Sequence, residues 1–366
     1  MKRTLRIVVA YMLTVMLPAH VLAELTIDQL VEEAGLSEGT IAARDLDGWN
    51  EPKKIVVRGP ELAAEMQAQF PDVEFVAVGS VSQAISAAYG AHAIVGYCDE
   101  RLVAASQNLV WIQVFSAGAE RCLAAPKVGS GDILLTNMQK MAAPVIGEHA
   151  IAMMLSLTRR LIQFGKVMND GNWNPDLSTA SGMTSINGKT MLVVGLGGIG
   201  TEVARRAAGL GMRVIATRNS SRVGPEFVEY VGLSDELLEL AGQADVVVNA
   251  LPLTPNTQGL FDSEFFDAVK PGVVFISVGR GRSTVTDDLV SALRDGRVAS
   301  AGLDVTDPEP LPPQHPLWRM SNVIITPHVA SDGDDRERIR VVASENIRRY
   351  IAGERLLNVV DPASGY

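Results

Sequence analysis

Residues Thr190–Gly200 read Thr-Met-Leu-Val-Val-Gly-Leu-Gly-Gly-Ile-Gly, and they decide the fold expected for the rest of the chain. Met191–Val194 is a short apolar run, partly β-branched, which is typical of a buried parallel strand. The glycines at 195, 197 and 200 have the spacing G-x-G-x-x-G, and a helical pattern follows them directly. In this order the first glycine permits a tight turn, the second lets a pyrophosphate approach the backbone, and the third lets helix and strand pack closely. The stretch therefore predicts a dinucleotide site at a helix N-terminus.

Units of one strand and one helix recur after this loop. Regular alternation of this kind predicts a parallel sheet with helices on both faces, because each crossover helix must lie over the sheet. We therefore expect a doubly wound α/β domain around the glycine-rich loop. Its further strands are predicted at Arg213–Ala216, Asp245–Asn249, Val273–Ser277, Val298–Gly302 and Val323–Thr326, its helices at Ser234–Ala241, Ser263–Val269 and Thr286–Asp295, and a final helix at Asp334–Ile351.

A second, smaller α/β unit is predicted before the glycine-rich loop. Upstream of it, Leu25–Asp45 is predicted to be helical with a break at Gly35, and its rhythm faintly resembles a helix-turn-helix. That segment is acidic and lacks a basic face, so it does not indicate DNA binding. The strands of the small unit are predicted at Lys54–Val57, Val73–Val78, His92–Val95 and Trp111–Phe115.

Ala143–Phe164 is predicted as one long helix, with Pro144 in its first turn. Apolar side chains cover more of it than a single core-facing stripe requires, so we expect burial between layers or subunits. This surface predicts a homodimer built around the helix. Glu148 and His149 at its start are expected to pack and form hydrogen bonds.

Composition excludes several classes of protein. With 366 residues, 47% of them hydrophobic, the chain is long enough for two domains with a real core. A net charge of −10 argues against nucleic acid as a partner, and no stretch reaches the ~20 apolar residues of a membrane span. Cys98 and Cys122 have no metal-ligand spacing, and no metal site is predicted. We expect two partly buried thiols, although the sequence alone does not decide whether they pair.

The first 23 residues have the pattern of a secretory signal peptide. Basic residues at positions 2, 3 and 6 precede the apolar run Ile7–Leu17, which is too short to span a membrane, and Val21-Leu22-Ala23 suits a cleavage site. We expect cleavage after Ala23 and a periplasmic or secreted protein. The alternatives are an uncleaved interfacial segment and a mis-assigned start codon, which would leave the protein in the cytoplasm.

Six blocks of sequence, taken in order, resemble the D-isomer-specific 2-hydroxyacid dehydrogenase family over roughly Lys53 to Val360. The resemblance implies a Rossmann dinucleotide-binding domain at 145–328, inserted into a smaller flavodoxin-like α/β substrate domain formed by 24–144 and 329–366. It places the active site in the cleft between them. The blocks are Phe115–Gly118, Gly195–Gly200, Asn249–Thr254, Ser277–Gly281, Ala301–Val305 with Glu309-Pro310, and Thr326-Pro327-His328.

The resemblance assigns roles to the residues of these blocks. It implies that His328 gives and takes the proton, that Glu309 orients this histidine and supports its charge, and that Arg280 binds the substrate's carboxylate and carbonyl oxygens. Ala117 and Gly118 match the loop whose backbone N–H groups hold the substrate carboxylate. The set suits the chemistry, since hydride arriving at a ketone carbon leaves an alkoxide that must gain a proton. A guanidinium can grip the carboxylate through two hydrogen bonds.

A longer set of residues is implied to line the cofactor site. Among them, Asp304 matches the residue that hydrogen-bonds the nicotinamide carboxamide. The implied cofactor-binding residues are Gly195, Gly197, Gly198, Ile199, Gly200, Thr217, Arg218, Asn219, Ser220, Leu251, Pro252, Thr257, Val278, Gly279, Arg280 and Asp304.

One position departs from the pattern of NAD-binding proteins. An acidic residue at the end of the second strand normally accepts hydrogen bonds from the adenine-ribose hydroxyls. Here that position holds Arg218, and the next acidic residue is Glu226. A carboxylate would repel a 2′-phosphate, whereas Arg218, Arg222 and the neighbouring hydroxyls can bind it. The sequence therefore favours NADP(H) over NAD(H).

These observations predict an NADP(H)-dependent reductase of small 2-keto acids, with glyoxylate or hydroxypyruvate as first substrates to test. Oxidation of formate or phosphite is an alternative within the family that no residue singles out. An alternative of another class is a non-catalytic dinucleotide-binding sensor or corepressor-like protein on the same fold. Such a protein should tolerate loss of His328, Glu309 and Arg280, and all three are present. Export is awkward for either function, because free NADPH is not expected outside the cytoplasm.

Overall fold

The computed structural model describes residues 25–219, 221–333 and 336–363, and the predicted signal peptide lies outside them. The strands are β1 Glu38–Ala42, β2 Lys54–Arg58, β3 Glu74–Val78, β4 Ala93–Val95, β5 Trp111–Gln113, β6 Leu134–Thr136, β7 Thr190–Val194, β8 Arg213–Thr217, β9 Tyr230–Gly232, β10 Val246–Asn249, β11 Val273–Ser277, β12 Val298–Leu303, β13 Val323–Ile325 and β14 Arg355–Leu357. The helices are α1 Ile27–Ala34, α2 Pro60–Gln69, α3 Val81–Ala87, α4 Glu100–Ala105, α5 Glu120–Leu123, α6 Pro126–Gly129, α7 Ala143–Thr158, α8 Leu161–Asn169, α9 Leu177–Ala180, α10 Gly198–Gly209, α11 Leu237–Ala241, α12 Ser263–Ala268, α13 Thr286–Arg294 and α14 Arg336–Ala352.

The larger sheet has the strand order β13-β12-β11-β10-β7-β8-β9, and its pairings are parallel. Every residue of β7 is buried, as the apolar run predicted. The chain runs outward from β7 on one side and then restarts at β10 on the other. This reversal between β7 and β10 leaves a crevice at their carboxyl ends, where doubly wound folds bind ligands. The predicted doubly wound Rossmann domain is confirmed.

The smaller sheet has the order β3-β2-β4-β5-β6, the flavodoxin-like arrangement, and is also parallel. The last helix returns to it. On α14, the buried Asn346 donates to Gln113 Oε1 at 2.8 Å and accepts from the backbone N–H of Leu357. The Tyr350 ring of the same helix packs on Trp111, with ring centroids 4.9 Å apart.

The chain crosses between the two sheets twice. It leaves the smaller sheet after β6, enters the larger one through α7, and returns through α14. The boundaries predicted at 144/145 and 328/329 lie within these two crossings. No helix among the described residues is long and apolar enough to cross a membrane.

The prediction for Leu25–Asp45 is confirmed up to the break at Gly35 and is wrong beyond it, where a strand follows instead of helix. Helix α1 ends at Ala34 because Gly35 takes a left-handed conformation at φ 60°, a common helix terminator. The chain then forms β1, which pairs antiparallel with β14 near the C-terminus. No helix-turn-helix forms in this segment.

The prediction of a single helix over Ala143–Phe164 is also wrong. Helix α7 ends at Thr158, whose carbonyl accepts from the backbone N–H of Thr184 at 2.9 Å. Arg160 then has φ 56°, and α8 starts in a new direction. Most of the wide apolar surface of α7 is used inside the chain, against α10 and the larger sheet. The homodimer therefore stays a prediction. In α8 and the loop that follows it, the large apolar side chains of Leu161, Met168 and Trp173 are exposed.

The cysteines are paired, which corrects the expectation of two thiols. Cys98 follows β4 and Cys122 lies in α5, after β5, and the two form a disulfide with Cα atoms 5.5 Å apart. Because β4 and β5 are adjacent parallel strands, the segments after them emerge at the same edge of the sheet. The two cysteines are 24 residues apart in sequence, and this spacing alone does not indicate that they lie close together.

Candidate active site

The glycine-rich loop has the shape that a pyrophosphate requires. Gly195 follows β7 with φ 95°, a conformation that favours glycine. A Cβ atom at Gly200 would overlap the carbonyl oxygen of Gly195, so only glycine lets α10 start this close to β7. At Gly197 a Cβ atom would meet no other atom within 4 Å. The open space therefore lies at the N-cap of α10, where free N–H groups attract phosphate, and the residues present fit a dinucleotide.

The loops after β10 and β11 form the other wall of the crevice. The buried Asn249 donates to Ser277 Oγ at 3.0 Å and to Ser283 Oγ at 2.8 Å, which ties the two loops together. A Cβ atom at Gly279 would lie 2.6 Å from the carbonyl oxygen of Leu251, so the backbones also approach closely. The hydroxyl of Thr257 holds the first loop by donating to the Pro252 carbonyl at 2.7 Å. Residues predicted for the cofactor site that the structure brings to this wall are Leu251, Pro252, Thr257, Val278 and Gly279.

The third part of the crevice is the end of β8. Thr217 is buried, and its carbonyl accepts from the backbone N–H groups of Gly195 and Leu196. Arg218 and Asn219 follow, while Ser220 lies outside the described residues. Arg218 donates to the carbonyl of Val223 at 3.1 Å, and no carboxylate pairs with it in the described parts of the chain.

Arg222 was predicted to contribute to 2′-phosphate binding, but its guanidinium is engaged elsewhere. It pairs with Glu236 at 2.7 Å and donates to the hydroxyl of Tyr230 at 2.9 Å. The Glu236 carboxylate balances the positive charge of Arg222, and the Tyr230 hydroxyl accepts a hydrogen bond from its guanidinium. Arg218 is therefore the cation at the end of β8 that still lacks an acidic partner among the residues the structure describes.

His328 and Glu309 form a direct pair. Their Nδ1 and Oε1 atoms are 2.8 Å apart, and each side chain is 44% exposed. A carboxylate at Nδ1 fixes the ring so that Nε2 is available to exchange a proton with another molecule. His328 has φ 55°, and its backbone N–H donates to the carbonyls of Asp304 and Thr326. The predicted pairing is thus present in the geometry.

Asp304 anchors the turn that carries His328. Its buried carboxylate accepts from the hydroxyl of Thr326 at 2.6 Å and from the backbone N–H groups of Val329 at 2.9 Å and Ala330 at 3.0 Å. His149 on α7 joins this network, because its Nε2 lies 2.9 Å from the Thr326 hydroxyl. The hydrogen bond expected for His149 is therefore present. Sequence reasoning gave Asp304 only a cofactor contact and overlooked Thr326, although Thr326 belongs to the same block as His328.

Arg280 lies across the cleft from the smaller domain. Its Nε donates to Glu120 Oε1 at 3.1 Å, and Nη1 donates to the carbonyl of Gly279 at 2.9 Å. Gly118 lies so close that a Cβ atom there would overlap Nη2 of Arg280. The structure therefore brings the predicted substrate-binding residues together. Glu120 was missed, and its position two residues after Gly118 was the available signal.

The 117–118 loop is held from behind by two side chains. Asn137 donates through Nδ2 to the carbonyl of Ala117 at 2.7 Å, and the hydroxyl of Ser116 donates to the carbonyl of Gly118 at 2.8 Å. Both bonds use carbonyls, so they leave the backbone N–H groups of this loop available for an anion. The arrangement provides a guanidinium, a backbone loop and a histidine–carboxylate pair around one cleft.

Comparison with known proteins agrees with this geometry. Residues 151–330 match the family model described as D-isomer specific 2-hydroxyacid dehydrogenase, NAD binding domain. The human glyoxylate reductase/hydroxypyruvate reductase is 34% identical over 274 residues, which cover 72% of this chain and 82% of that protein. A glyoxylate reductase of Thermofilum pendens is 32% identical over 265 residues, covering 70% of this chain and 76% of its own.

Solved structures give the same result. An NADPH-dependent glyoxylate/hydroxypyruvate reductase from Sinorhizobium meliloti, in complex with NADP and sulfate, is 28% identical with a TM-score of 0.74; it covers 86% of this chain and 100% of that one. A D-isomer specific 2-hydroxyacid dehydrogenase from Xanthobacter autotrophicus, in complex with NADPH and MES, is 27% identical with a TM-score of 0.70 and the same coverage.

Fold and site together define an oxidoreductase that uses a dinucleotide. The chain belongs to the D-isomer specific 2-hydroxyacid dehydrogenase family, and it is an NAD(P)-dependent 2-hydroxyacid dehydrogenase.

The Asp304 network predicts a loss of stability when Thr326 is replaced by valine. The substitution keeps the shape but removes the hydroxyl that serves both Asp304 and His149, so we expect the free energy of unfolding to fall by roughly 1–3 kcal/mol. Thermal unfolding measures the change. Thr179→Val, at an exposed position of α9, is the matched control and should change little. Equal unfolding midpoints for the two variants would show that the network contributes nothing.

Proposed function

We propose that the protein reduces a small 2-keto acid, glyoxylate or hydroxypyruvate, with NADP(H), and that His328 supplies the proton. The observation that carries this proposal is the His328–Glu309 pair at 2.8 Å, on a turn beside the carboxyl edge of the larger sheet. Arg280 and the 117–118 loop face this edge from the other side of the cleft. The relatives named as glyoxylate or hydroxypyruvate reductases support this choice of substrates.

The roles follow from the geometry of the side chains. Arg280 and the backbone N–H groups of the 117–118 loop bind the substrate carboxylate and so fix the keto carbon. The nicotinamide cofactor, when bound, supplies the hydride. His328 donates its proton from Nε2 to the oxygen of the carbonyl that is being reduced, since Nδ1 is held by Glu309. In the oxidative direction the neutral imidazole accepts that proton.

This proposal predicts that His328→Ala and Glu309→Gln lower kcat without weakening the cofactor's binding. Loss of a positioned acid–base group typically lowers a rate by about 10²–10⁴-fold, and we expect His328→Ala to fall in this range. Glu309→Gln keeps the shape but removes the charge that pairs with the imidazolium, so it should have a smaller effect in the same direction. Steady-state rates with glyoxylate and hydroxypyruvate, together with titration of NADPH fluorescence, measure both properties.

Glu264→Gln, at an exposed position of α12, is the matched control for removal of a carboxylate and should leave kcat unchanged. A near-normal rate for His328→Ala would exclude His328 as the proton donor. It would favour the alternative of a non-catalytic dinucleotide-binding sensor on the same fold. The presence of His328, Glu309 and Arg280 in hydrogen-bonding positions favours the enzyme.

The preference for NADP(H) is supported by the charges at the end of β8. Arg218 occupies the place of the usual acid and has no carboxylate partner among the described residues, while Arg222 is paired with Glu236. Solved relatives with NADP or NADPH bound agree with this preference.

We predict that Arg218→Asp weakens NADPH binding by about tenfold or more and NADH binding much less. The change removes a charge-assisted hydrogen bond to the 2′-phosphate and adds repulsion. Dissociation constants from fluorescence titration test the prediction. Arg319→Asp, an exposed change of the same charge, is the control. If the unchanged protein binds NADH as tightly as NADPH, the proposed preference is wrong.

We propose further that the protein is exported. The signal-peptide pattern of the first 23 residues motivates the proposal, and the Cys98–Cys122 disulfide supports it, because disulfides persist in oxidising compartments and are rare in the cytosol. N-terminal sequencing and thiol alkylation of the native protein test both features. We expect the mature chain to begin at Glu24 with both cysteines resistant to alkylation. An intact Met1 with two free thiols would contradict export.

A further inference from the structure

Lys140 lies against the glycine-rich loop, although it belongs to the segment that follows the smaller sheet. Its side chain crosses Gly198, the first residue of α10, so closely that a Cβ atom at Gly198 would lie 2.9 Å from Lys140 Cγ. The ammonium group donates to the carbonyl of Gly35, which caps the C-terminus of α1. One side chain thus touches both the cofactor loop and the segment near the N-terminus of the described chain.

The backbone of Lys140 is fixed in this position. Asn358 donates through Nδ2 to the carbonyl of Gln139 at 3.2 Å, and the backbone N–H of Asn137 donates to the carbonyl of Asn358 at 3.1 Å. Met138 and Met141, on either side, are buried. The turn therefore holds the Lys140 side chain at the N-terminus of α10.

The charges around Lys140 favour the binding of an anion. Partial burial and the nearby positive charge of Arg218 hold the pKa of Lys140 below its usual range. No carboxylate pairs with Lys140 or Arg218 in the parts of the chain that are described, and the N-terminus of α10 adds a further positive partial charge. Like charges gathered without an acid destabilise the unliganded protein, and a bound phosphate would offset this cost.

We propose that Lys140 is a ligand of the cofactor's pyrophosphate, provided by the substrate domain. The inference rests on the proposed dinucleotide site. It assigns Lys140 to the pyrophosphate because its stem lies over Gly198 at the start of α10, whereas Arg218 lies at the end of β8, where the adenine ribose binds. On binding, the ammonium exchanges the carbonyl of Gly35 for a phosphate oxygen. The cofactor is then held from both domains, and its arrival releases a contact to α1.

The test is the binding of NADPH and NADH to Lys140→Met, without turnover. A charge-assisted contact to the pyrophosphate is common to both dinucleotides, so both dissociation constants should rise by a similar factor of about 10 to 100. Lys140→Arg should recover part of the affinity, and Lys127→Met, at an exposed position of α6, should bind as the unchanged protein does. Lys140→Gln serves as a second neutral variant if Lys140→Met does not fold, as judged by its thermal unfolding.

ADP and 2′-AMP separate the two phosphate positions. Competition by ADP, which carries a pyrophosphate, should weaken in the Lys140 variants, while competition by 2′-AMP should not. Weakened binding of NADPH and 2′-AMP alone would place Lys140 at the 2′-phosphate and overturn the proposal, as would unchanged affinity for all four probes. If the unchanged protein binds neither dinucleotide, the proposed function itself fails, and this result is distinct from a failure confined to Lys140.

Discussion

At the carboxyl edge of the larger sheet, the backbone approaches itself so closely that three positions have no room for a Cβ atom. Gly200 lies against the carbonyl of Gly195, Gly279 against that of Leu251, and Gly281 against that of Thr306. The first contact starts α10 directly above β7 and opens the phosphate cradle. The other two draw the loops after β10, β11 and β12 together. Because Arg280 lies between Gly279 and Gly281, the same packing that forms the cofactor crevice also fixes the backbone from which the guanidinium reaches across the cleft.

A buried carboxylate links this packing to His328, the proposed proton donor. Burial of Asp304 would be costly without partners, but the Thr326 hydroxyl and two backbone N–H groups satisfy it. These bonds hold the turn in which His328 adopts a left-handed conformation, which costs about 1–3 kcal/mol for a residue other than glycine. The hydrogen bonds of the turn offset that strain. His149 extends the network to α7, so the position of His328 depends on the helix through which the chain enters the larger domain.

The sequence predicted those features of the structure that have a local pattern and missed those that depend on contacts between distant segments. Most strands of both sheets were found because a buried strand reads as a short apolar run, and the strand–helix alternation identified the parallel sheets, but β6 and β9 were missed. The pairing of β1 with β14 was missed because it joins Glu38 to Leu357, and no local pattern connects them. The break after Thr158 was missed because the carbonyl of Thr158 is bound by the backbone N–H of Thr184, a contact that no local pattern indicates. The disulfide and the Arg280–Glu120 pair depend in the same way on contacts between segments far apart in sequence.

The distribution of acids around the cleft separates its cations into two kinds. Arg280 is paired with Glu120 and Arg222 with Glu236, so the unliganded protein already balances these charges. Arg218 and Lys140 have no such partner among the residues described. An anion that binds at Arg280 must share or displace Glu120 and so binds against competition, which suits a substrate that has to enter and leave at every turnover. An anion at Arg218 and Lys140 meets no competing carboxylate. This suits the phosphate groups that hold a dinucleotide cofactor in place. Two differently balanced sets of positive charges thus suit weak binding of a substrate and firm binding of a dinucleotide within one cleft.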